Sequence, residues 1–251
     1  MTFARATGRW KRSLAFAAGV AALELVAARE ASACGTSGPD GVSACSLAEH
    51  DESERPRWRL GASGVYTSTS LHFSGDVHAD ETRAATLVSL SYAPTRKVSF
   101  EAGFGTAIGG KLTLPDGEHT FSAGPTAAIG ASWHLLEGKP FVVLTSLVSF
   151  TGARTHTTDS IATQTYDAFD LRLGGIVGTT LWNTLSPYAL ARVFGGPVYW
   201  TYEGRSVTGT DTHHFQVGGG FALLIVKRLD LFVEGVPLGE RAVAGGLSVS
   251  F

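Results

Sequence analysis

The sequence predicts an all-β protein that closes into an antiparallel, up-and-down transmembrane β-barrel of about ten strands. From Trp58 to Phe251 the hydrophobicity alternates with a period of two, which indicates strands. Many of these segments run to about 10 to 14 residues, longer than most globular strands and long enough to cross a bilayer at a tilt. One face is large and apolar and the other is mostly Gly, Ala and Ser, which suits a narrow barrel with lipid outside.

The composition excludes two other classes of protein. The formal net charge is -2, so no basic surface for nucleic acid is indicated. Charged residues make up 17% of the chain, below the roughly 25% that is usual for soluble domains. After residue 33 no apolar run approaches the length of about 18 residues that a membrane helix needs. The apolar faces of the strands can then be covered by lipid, if the strands form a membrane-spanning sheet.

The N-terminus has the pattern of an export signal. Residues 1–12 carry Arg and Lys but no acidic residue, and a run rich in Ala, Leu and Val follows to Ala28. Ala31-Ser32-Ala33 supplies the small residues of a cleavage site, so residues 1–33 are interpreted as a signal peptide. Lipidation of Cys34 is the alternative, although Ala31 stands where lipoprotein signals normally have a large aliphatic residue.

Residues 34–56 show no strand pattern and are interpreted as a periplasmic N-terminal segment that precedes the barrel at 57–251. Cys34 and Cys45 are the two cysteines of the chain, and they bracket a short loop rich in Gly and Ser. In an exported protein this arrangement predicts a disulfide between them.

The strand pattern also predicts the order of turns and loops. Short joins alternate with longer polar ones at 74–82, 109–119, 153–164 and 203–212, as periplasmic turns alternate with outer loops in membrane barrels. Eight strands is the alternative count if 229–251 is not a pair of strands. The ten expected strands lie at 57–72, 83–93, 97–108, 120–135, 141–152, 165–181, 187–202, 213–226, 229–236 and 241–251.

Several aromatic residues stand near strand ends, where membrane barrels have a ring of aromatic side chains, or girdle, at each membrane interface. Trp58, Tyr92, Trp133 and Trp182 lie beside the short turns, and Tyr66, Tyr199 and Tyr202 are candidates for the outer girdle. The last strand, from Arg241, has apolar residues at alternate positions and ends on Phe251.

Leader, alternating strands and terminal aromatic together resemble the small bacterial outer-membrane β-barrel proteins, over roughly residues 57–251. In that class an aromatic C-terminus is the recognition signal for the barrel-assembly machinery. The resemblance therefore implies that role for Phe251, a place in the outer-membrane lipid and a Gram-negative host.

With the large residues facing lipid, a group of charged residues faces the interior. A barrel of about ten strands is close to the size that side chains fill. We therefore expect a salt-bridged core that closes the lumen, with a narrow conduit for small solutes or ions as the alternative. The predicted interior network consists of Glu101, Asp170, Arg172, Arg192 and Glu234.

Six of the eight histidines fall on the expected outer loops or strand ends. Imidazoles that converge at a barrel mouth can bind copper or zinc, and His78, His119 and His213 are the candidate ligands. No other cofactor is expected.

An enzymatic alternative comes from a second resemblance. Asp211-Thr212-His213 together with Asp116-Gly117-Glu118 is similar to the omptin proteases, in which an Asp-x-His pair faces two acids. In that reading Asp211 would orient His213 as the general base. Glu118 departs from the family's second Asp, and the chain is short for an omptin. A non-enzymatic barrel with a structural or surface-interaction role is the preferred hypothesis, with no catalytic residue assigned.

Overall fold

The computed structural model describes residues 56–157, 163–202 and 204–251, which form thirteen strands in one antiparallel sheet. Within these ranges no helix has the length and apolar character to cross a membrane. The predicted signal peptide, Cys34 and Cys45 lie outside the described residues. The strands are β1 (Trp58–Phe73), β2 (Val77–Tyr92), β3 (Val98–Leu114), β4 (Gly117–Phe121), β5 (Gly124–Leu136), β6 (Phe141–Thr157), β7 (Gln164–Gly178), β8 (Leu185–Gly195), β9 (Val198–Tyr202), β10 (Arg205–Asp211), β11 (Phe215–Val226), β12 (Leu229–Gly239) and β13 (Arg241–Ser250).

The sheet closes into two stacked rings of different size. At the level where β1 begins and β13 ends, ten strands (β1, β2, β3, β5, β6, β7, β8, β11, β12 and β13) close when β13 pairs with β1. Farther away, eight strands (β1, β2, β3, β4, β6, β7, β9 and β10) close when β10 pairs with β1. We call these the lower barrel and the upper barrel. The prediction of an antiparallel barrel of about ten strands is confirmed, and a ring of eight exists in the upper barrel.

The ring narrows because the β12–β13 hairpin ends partway up the wall. Its tip lies at Gly239 and Glu240, and above it Leu71 of β1 pairs directly with Asp211 of β10. Gly239 has a φ of 84°, and a Cβ there would lie 1.7 Å from the carbonyl oxygen of Phe215. Only glycine fits this position, which lies in the turn where ten strands become eight.

The outer surface changes character at the same level. The outward side chains of the lower barrel are apolar, such as Phe104 on β3 and Ile129 on β5, which are 67% and 63% exposed. A continuous exposed apolar band of this kind is foreign to a water-soluble surface and is what lipid requires. In the upper barrel the outward side chains are polar apart from the exposed aromatic Tyr199. The polar ones are Ser68, Ser70, His72, His78, Asp80, Thr82, Lys111, Thr113, Glu118, Thr120, Arg154, His156, Thr165, Asp167, Thr201, Ser206, Thr208 and Thr210.

The height of the apolar band matches a membrane. On β1 the outward face is apolar from Trp58 to Tyr66 and polar from Ser68. Eight residue steps at about 3.4 Å, tilted by about 40°, give a height of about 21 Å. The apolar band of outer-membrane barrels is about 25 Å tall. The lower barrel therefore has the dimensions of a membrane-spanning segment, and the upper barrel projects beyond it.

The alternation of inward and outward residues reverses at three places where the rings meet, once within β3 and twice between strands. In β3 the inward residues are odd-numbered up to Ala107 and even-numbered from Gly110, because a bulge shifts the register near Ala84 and Ala85 of β2. The breaks between β4 and β5 and between β10 and β11 have the same effect. In the single strand expected at 120–135, Phe121 and Ile129 stand an even number of residues apart and would share the outward face. Phe121 is instead buried inside the upper barrel, since the break at 122–123 intervenes.

The expected long outer loops are largely strands. β2 begins at Val77, β3 continues to Leu114, and β10 fills most of the expected loop at 203–212. The polar residues that indicated loops are the outward face of the upper barrel. The turn between β1 and β2 spans only residues 74–76, and that between β3 and β4 spans 115–116. Loop length therefore does not distinguish the two ends of this barrel.

Candidate functional site

The interior of the lower barrel is held by a bidentate ion pair. Arg192 on β8 donates through both terminal nitrogens to Glu234 on β12, with N···O distances of 3.0 and 3.2 Å. The hydroxyl of Tyr188 donates to the same carboxylate at 3.1 Å. Paired guanidinium and carboxylate groups of this geometry form strong, directional contacts. This pair ties β8 to β12 across the strand that separates them.

A second group of charges lies higher, under the hairpin tip. Arg172 on β7 donates to Asp170 on its own strand and, through Nη2, to Glu240 at 2.9 Å. Nε2 of Gln216 also donates to Glu240, at 2.7 Å. The guanidinium carbon of Arg172 lies 5.1 Å from the ring centre of Phe194. Glu240 is a turn residue that points into the barrel, and it joins the β12–β13 tip to β7 and β11.

The structure places four of the five predicted network residues in these two groups. Glu101 faces the same interior from β3 and is half-buried. Glu240 was missed, because a glutamate in a hairpin turn indicates exposure to solvent when only the sequence is considered. Glu240 and other polar side chains of this interior are nevertheless almost inaccessible to solvent: Arg59, Arg172, Arg192, Gln216, Asp230, Glu234 and Glu240 are at most 9% exposed.

Smaller apolar clusters lie beside the ion pairs, and the largest apolar cluster of the interior lies above them. Trp200 on β9 is 1% exposed and packs against Phe73 and His119, and its indole N–H donates to Thr155 at 2.9 Å. Tyr166 packs against Phe121. Such a core is typical of the inside of a soluble barrel. Its buried members are Leu71, Phe73, Ala79, Leu112, Leu114, Phe121, Tyr166, Val198 and Trp200, and we call it the apolar plug.

The plug has a polar edge. Tyr166 donates its hydroxyl to Glu81, which also pairs with Arg83 at 3.3 Å. Burial raises the pKa of Tyr166 well above its usual value, and the nearby Glu81 carboxylate raises it further. Burial likewise raises the pKa of Asp211 to about 6, partly offset by the hydrogen bond from Thr69 at 2.9 Å.

The three predicted metal ligands lie apart from one another. His119 faces inward against Trp200 and Tyr202, and burial lowers its pKa. His213 is exposed beside Phe215. His78 is on the outer face of β2, where its partner is His72 of β1, with Nδ1 of His72 3.1 Å from Nε2 of His78.

The residues of the protease-like pattern also point in different directions. Asp211 faces the interior and binds Thr69, whereas His213 is on the exterior after the end of β10. Asp116 accepts a hydrogen bond from Tyr202, and Glu118 pairs with Lys111 at 2.9 Å on the outside. The aspartate therefore does not orient the imidazole, and the two acids are engaged elsewhere.

The chain ends and the aromatic residues complete the lower barrel. The backbone N–H of Phe251 donates to the carbonyl of Trp58 at 2.9 Å, so the terminal residue joins the seam. Trp133 and Trp182 are exposed at 55% and 81%, at the level of the lower turns. Tyr202, a candidate for the outer girdle, instead stacks on Trp200 inside the upper barrel.

No protein-family model matches the chain, and no curated protein shows significant sequence similarity to it. Among solved structures, the chain is similar to the β domain of the Bordetella autotransporter BrkA, with 14% identity, a TM-score of 0.47 and coverage of 78% of this chain and 100% of that one. The translocator domain of autotransporter NalP from Neisseria meningitidis has 10% identity, a TM-score of 0.45 and coverage of 80% and 90%.

A third neighbour is Ail, the attachment invasion locus protein of Yersinia pestis, with 11% identity, a TM-score of 0.36 and coverage of 78% of this chain and 100% of that one. At these values none of the neighbours bears on what this chain binds or does. All three are outer-membrane β-barrels, the class that the sequence resembles.

Proposed function

We propose that this chain is a closed, non-conducting and non-enzymatic β-barrel of the bacterial outer membrane, with a structural or surface-interaction role. Its lower barrel would anchor it in lipid and its upper barrel would present a polar wall to the environment or to a partner. Export through a cleaved signal peptide and insertion by the barrel-assembly machinery through Phe251 belong to the same proposal.

One observation carries the closed state: four charged side chains of the lower interior, Arg172, Arg192, Glu234 and Glu240, are at most 9% exposed, and two others, Glu101 and Asp170, are half-buried. A water-filled pore keeps its lining charges accessible to solvent, as the channels of large porins do. In this barrel the interior charges form ion pairs with one another, and the apolar plug lies above them. These features favour a sealed scaffold over a conduit for solutes or ions.

The position in the membrane is supported by the two outer surfaces. The lower barrel has an apolar band of about 21 Å at a typical tilt, close to the requirement of a bilayer. The upper barrel has a polar exterior and an apolar interior, which is the arrangement for water. A display role follows from these surfaces, because the upper barrel stands clear of the lipid with all of its outward side chains available for contact.

Planar-bilayer recordings test the closed state. We expect the refolded protein to insert without steady conductance, and we expect Arg192→Ala to remain silent, because the apolar plug still fills the upper barrel. Trp200→Ala combined with Arg192→Ala removes both closures and should produce openings. Stable ohmic steps from the unsubstituted protein would overturn the proposal in favour of a narrow channel.

A further inference from the structure

Two histidines form a pair on the outer face of the upper barrel. His72 and His78 are directly opposite each other in the β1–β2 hairpin, and their side chains are exposed. Their ring centres are 4.5 Å apart, and Nδ1 of His72 lies 3.1 Å from Nε2 of His78. The register of the hairpin holds the two imidazoles together, since each strand supplies one.

The separation of the two nitrogens fits a shared metal ion. Zinc–imidazole bonds are about 2.0 to 2.1 Å long, so two imidazoles on a tetrahedral ion have nitrogens about 3.3 Å apart. Two neighbouring ligands at right angles around a tetragonal copper ion would have nitrogens about 2.9 Å apart. The observed 3.1 Å lies between these values. Metal binding would replace the hydrogen bond between the two rings, and the rings would turn so that both nitrogen lone pairs point at the ion.

The turn supplies a third ligand. Asp76 has a φ of 63°, in the left-handed region that few residues other than glycine adopt, next to Gly75 with a φ of 85°. A carboxylate oxygen of Asp76 and one nitrogen from each histidine all lie within 4.8 Å of one another. Two imidazoles and a carboxylate form a donor set typical of transition-metal sites.

We propose that His72, Asp76 and His78 bind a divalent transition cation, Zn²⁺ or Cu²⁺, taken from the medium around the upper barrel. Imidazole ligands favour these ions over Mg²⁺ and Ca²⁺, which take oxygen ligands. Three protein ligands leave at least one coordination position open. His72 also borders an open groove of about 560 Å³ beside Thr208 and Thr210, so water or a small ligand has room there.

This inference goes beyond the proposed function, since a sealed surface barrel needs no metal. It also differs from the ligand set that the sequence indicated. Of His78, His119 and His213, only His78 takes part, because the hairpin pairs it with His72 while the other two lie elsewhere on the fold.

Calorimetric titration of the folded barrel in detergent, carrying no polyhistidine tag, tests the site with ZnCl₂ and CuCl₂ as probes. We expect one ion per barrel, with Cu²⁺ bound more tightly than Zn²⁺. His72→Ala and His78→Ala should each weaken binding by more than about tenfold. Loss of a residue that merely supports a metal ligand already costs about 10- to 100-fold in affinity, and loss of the ligand itself should cost at least the lower value. Electron paramagnetic resonance of the copper form should show two coordinated nitrogens.

Matched variants separate this site from weak binding at the surface. Asp76→Asn should weaken metal binding. Asp80→Asn is the matched control, because Asp80 lies on the outer face of β2 and accepts a hydrogen bond from Ser70 at 2.6 Å, and it should leave metal binding unchanged. His213→Ala removes an exposed imidazole outside the site and should leave the titration unchanged. All of these positions are on the surface, and retention of the folded band on unheated gels checks each variant.

Three results would overturn the proposal. These are no uptake of either ion, binding that survives the combined His72→Ala and His78→Ala substitutions, or equal losses for Asp76→Asn and Asp80→Asn. None of them bears on the conductance experiment, so the metal site and the sealed barrel can fail separately.

Discussion

The lower and upper barrels are built from one continuous sheet but differ in both their outer and their inner surfaces. The lower barrel is apolar outside and holds ion pairs together with smaller apolar clusters inside, whereas the upper barrel is polar outside and holds the apolar plug inside. The hydrophobic effect places apolar surface away from water, and in the lower barrel the place away from water is the lipid. The contrast shows that the surroundings, and not the sheet, decide whether the outer face is apolar.

The boundary between the two parts requires special backbone. β3 exchanges its faces at Gly109 and Gly110, and a Cβ on Gly110 would lie 2.1 Å from the carbonyl oxygen of Thr82. The β4–β5 and β10–β11 breaks do the same in other parts of the wall. A shift of one residue moves every later side chain to the opposite face, so each of these irregularities inverts a strand at once.

The largest effect is expected inside the upper barrel. Trp200→Ala removes a fully buried indole from the apolar plug and its bond to Thr155, and should lower the free energy of unfolding by about 3–5 kcal/mol. Tyr199→Phe is the matched control on the same strand, on the outward face, and should change it by less than about 1 kcal/mol. Urea unfolding in lipid vesicles, followed by the gel mobility of the folded form, measures both. Equal effects would show that the plug is not a packed core.

Two variants of β3 compare the outer surfaces of the lower and upper barrels, because each places one arginine on one of these surfaces. Phe104→Arg puts a cation in the apolar band and should cost about 2–4 kcal/mol. Thr113→Arg puts the same cation on the upper barrel, among polar neighbours, and should change stability by no more than about 0.5 kcal/mol. The two variants are unfolded from vesicles under identical conditions. A similar cost at both positions would contradict the boundary that we place after Tyr66 on β1.

The smallest effect is a pH dependence at the edge of the upper barrel. Asp211 has a pKa of about 6 in the folded protein, against 3.8 for an ordinary aspartate. The folded state therefore holds the proton more tightly, and stability falls as pH rises from about 4 to about 6. At pH 7.5 Asp211→Asn should be about 1–3 kcal/mol more stable than the unsubstituted protein, a range that is lowered because Asp211 is partly exposed. At pH 3.5 the two proteins should be equally stable. An equal gain at both pH values would exclude titration of Asp211 as the cause.

The sequence predicted the lower barrel well because its strands keep one alternation of inward and outward residues over most of their length, although register shifts occur in β11 and at the end of β5. Val98, Phe100 and Phe104 alternate with small residues, and all lie on the side that the pattern indicated. Arg192 and Glu234 were predicted to be inside by the same alternation, and they meet there. A period of two is enough for these inferences as long as no residue is inserted into the strand.

The upper barrel was predicted poorly for two physical reasons. Its outward face is rich in Ser, Thr, His and Asp, which is typical of loops as well as of strands in water, so β10 and the beginning of β2 were interpreted as loops. Its breaks also invert the alternation, which placed Phe121 on the wrong face. The pairing of His72 with His78 could have been found from the hairpin turn at Gly75 and Asp76, but only once the register was known.

The sequence by itself determined the all-β class, the approximate number of strands and the lipid-facing side of the lower barrel, because these depend on local periodicity. Only the tertiary structure decided that Glu240 turns inward to Arg172, that ten strands narrow to eight, and that two histidines meet on the outside. These features depend on register and on where a hairpin ends, which are set by contacts between strands distant in the chain and leave no periodic signal in any one of them.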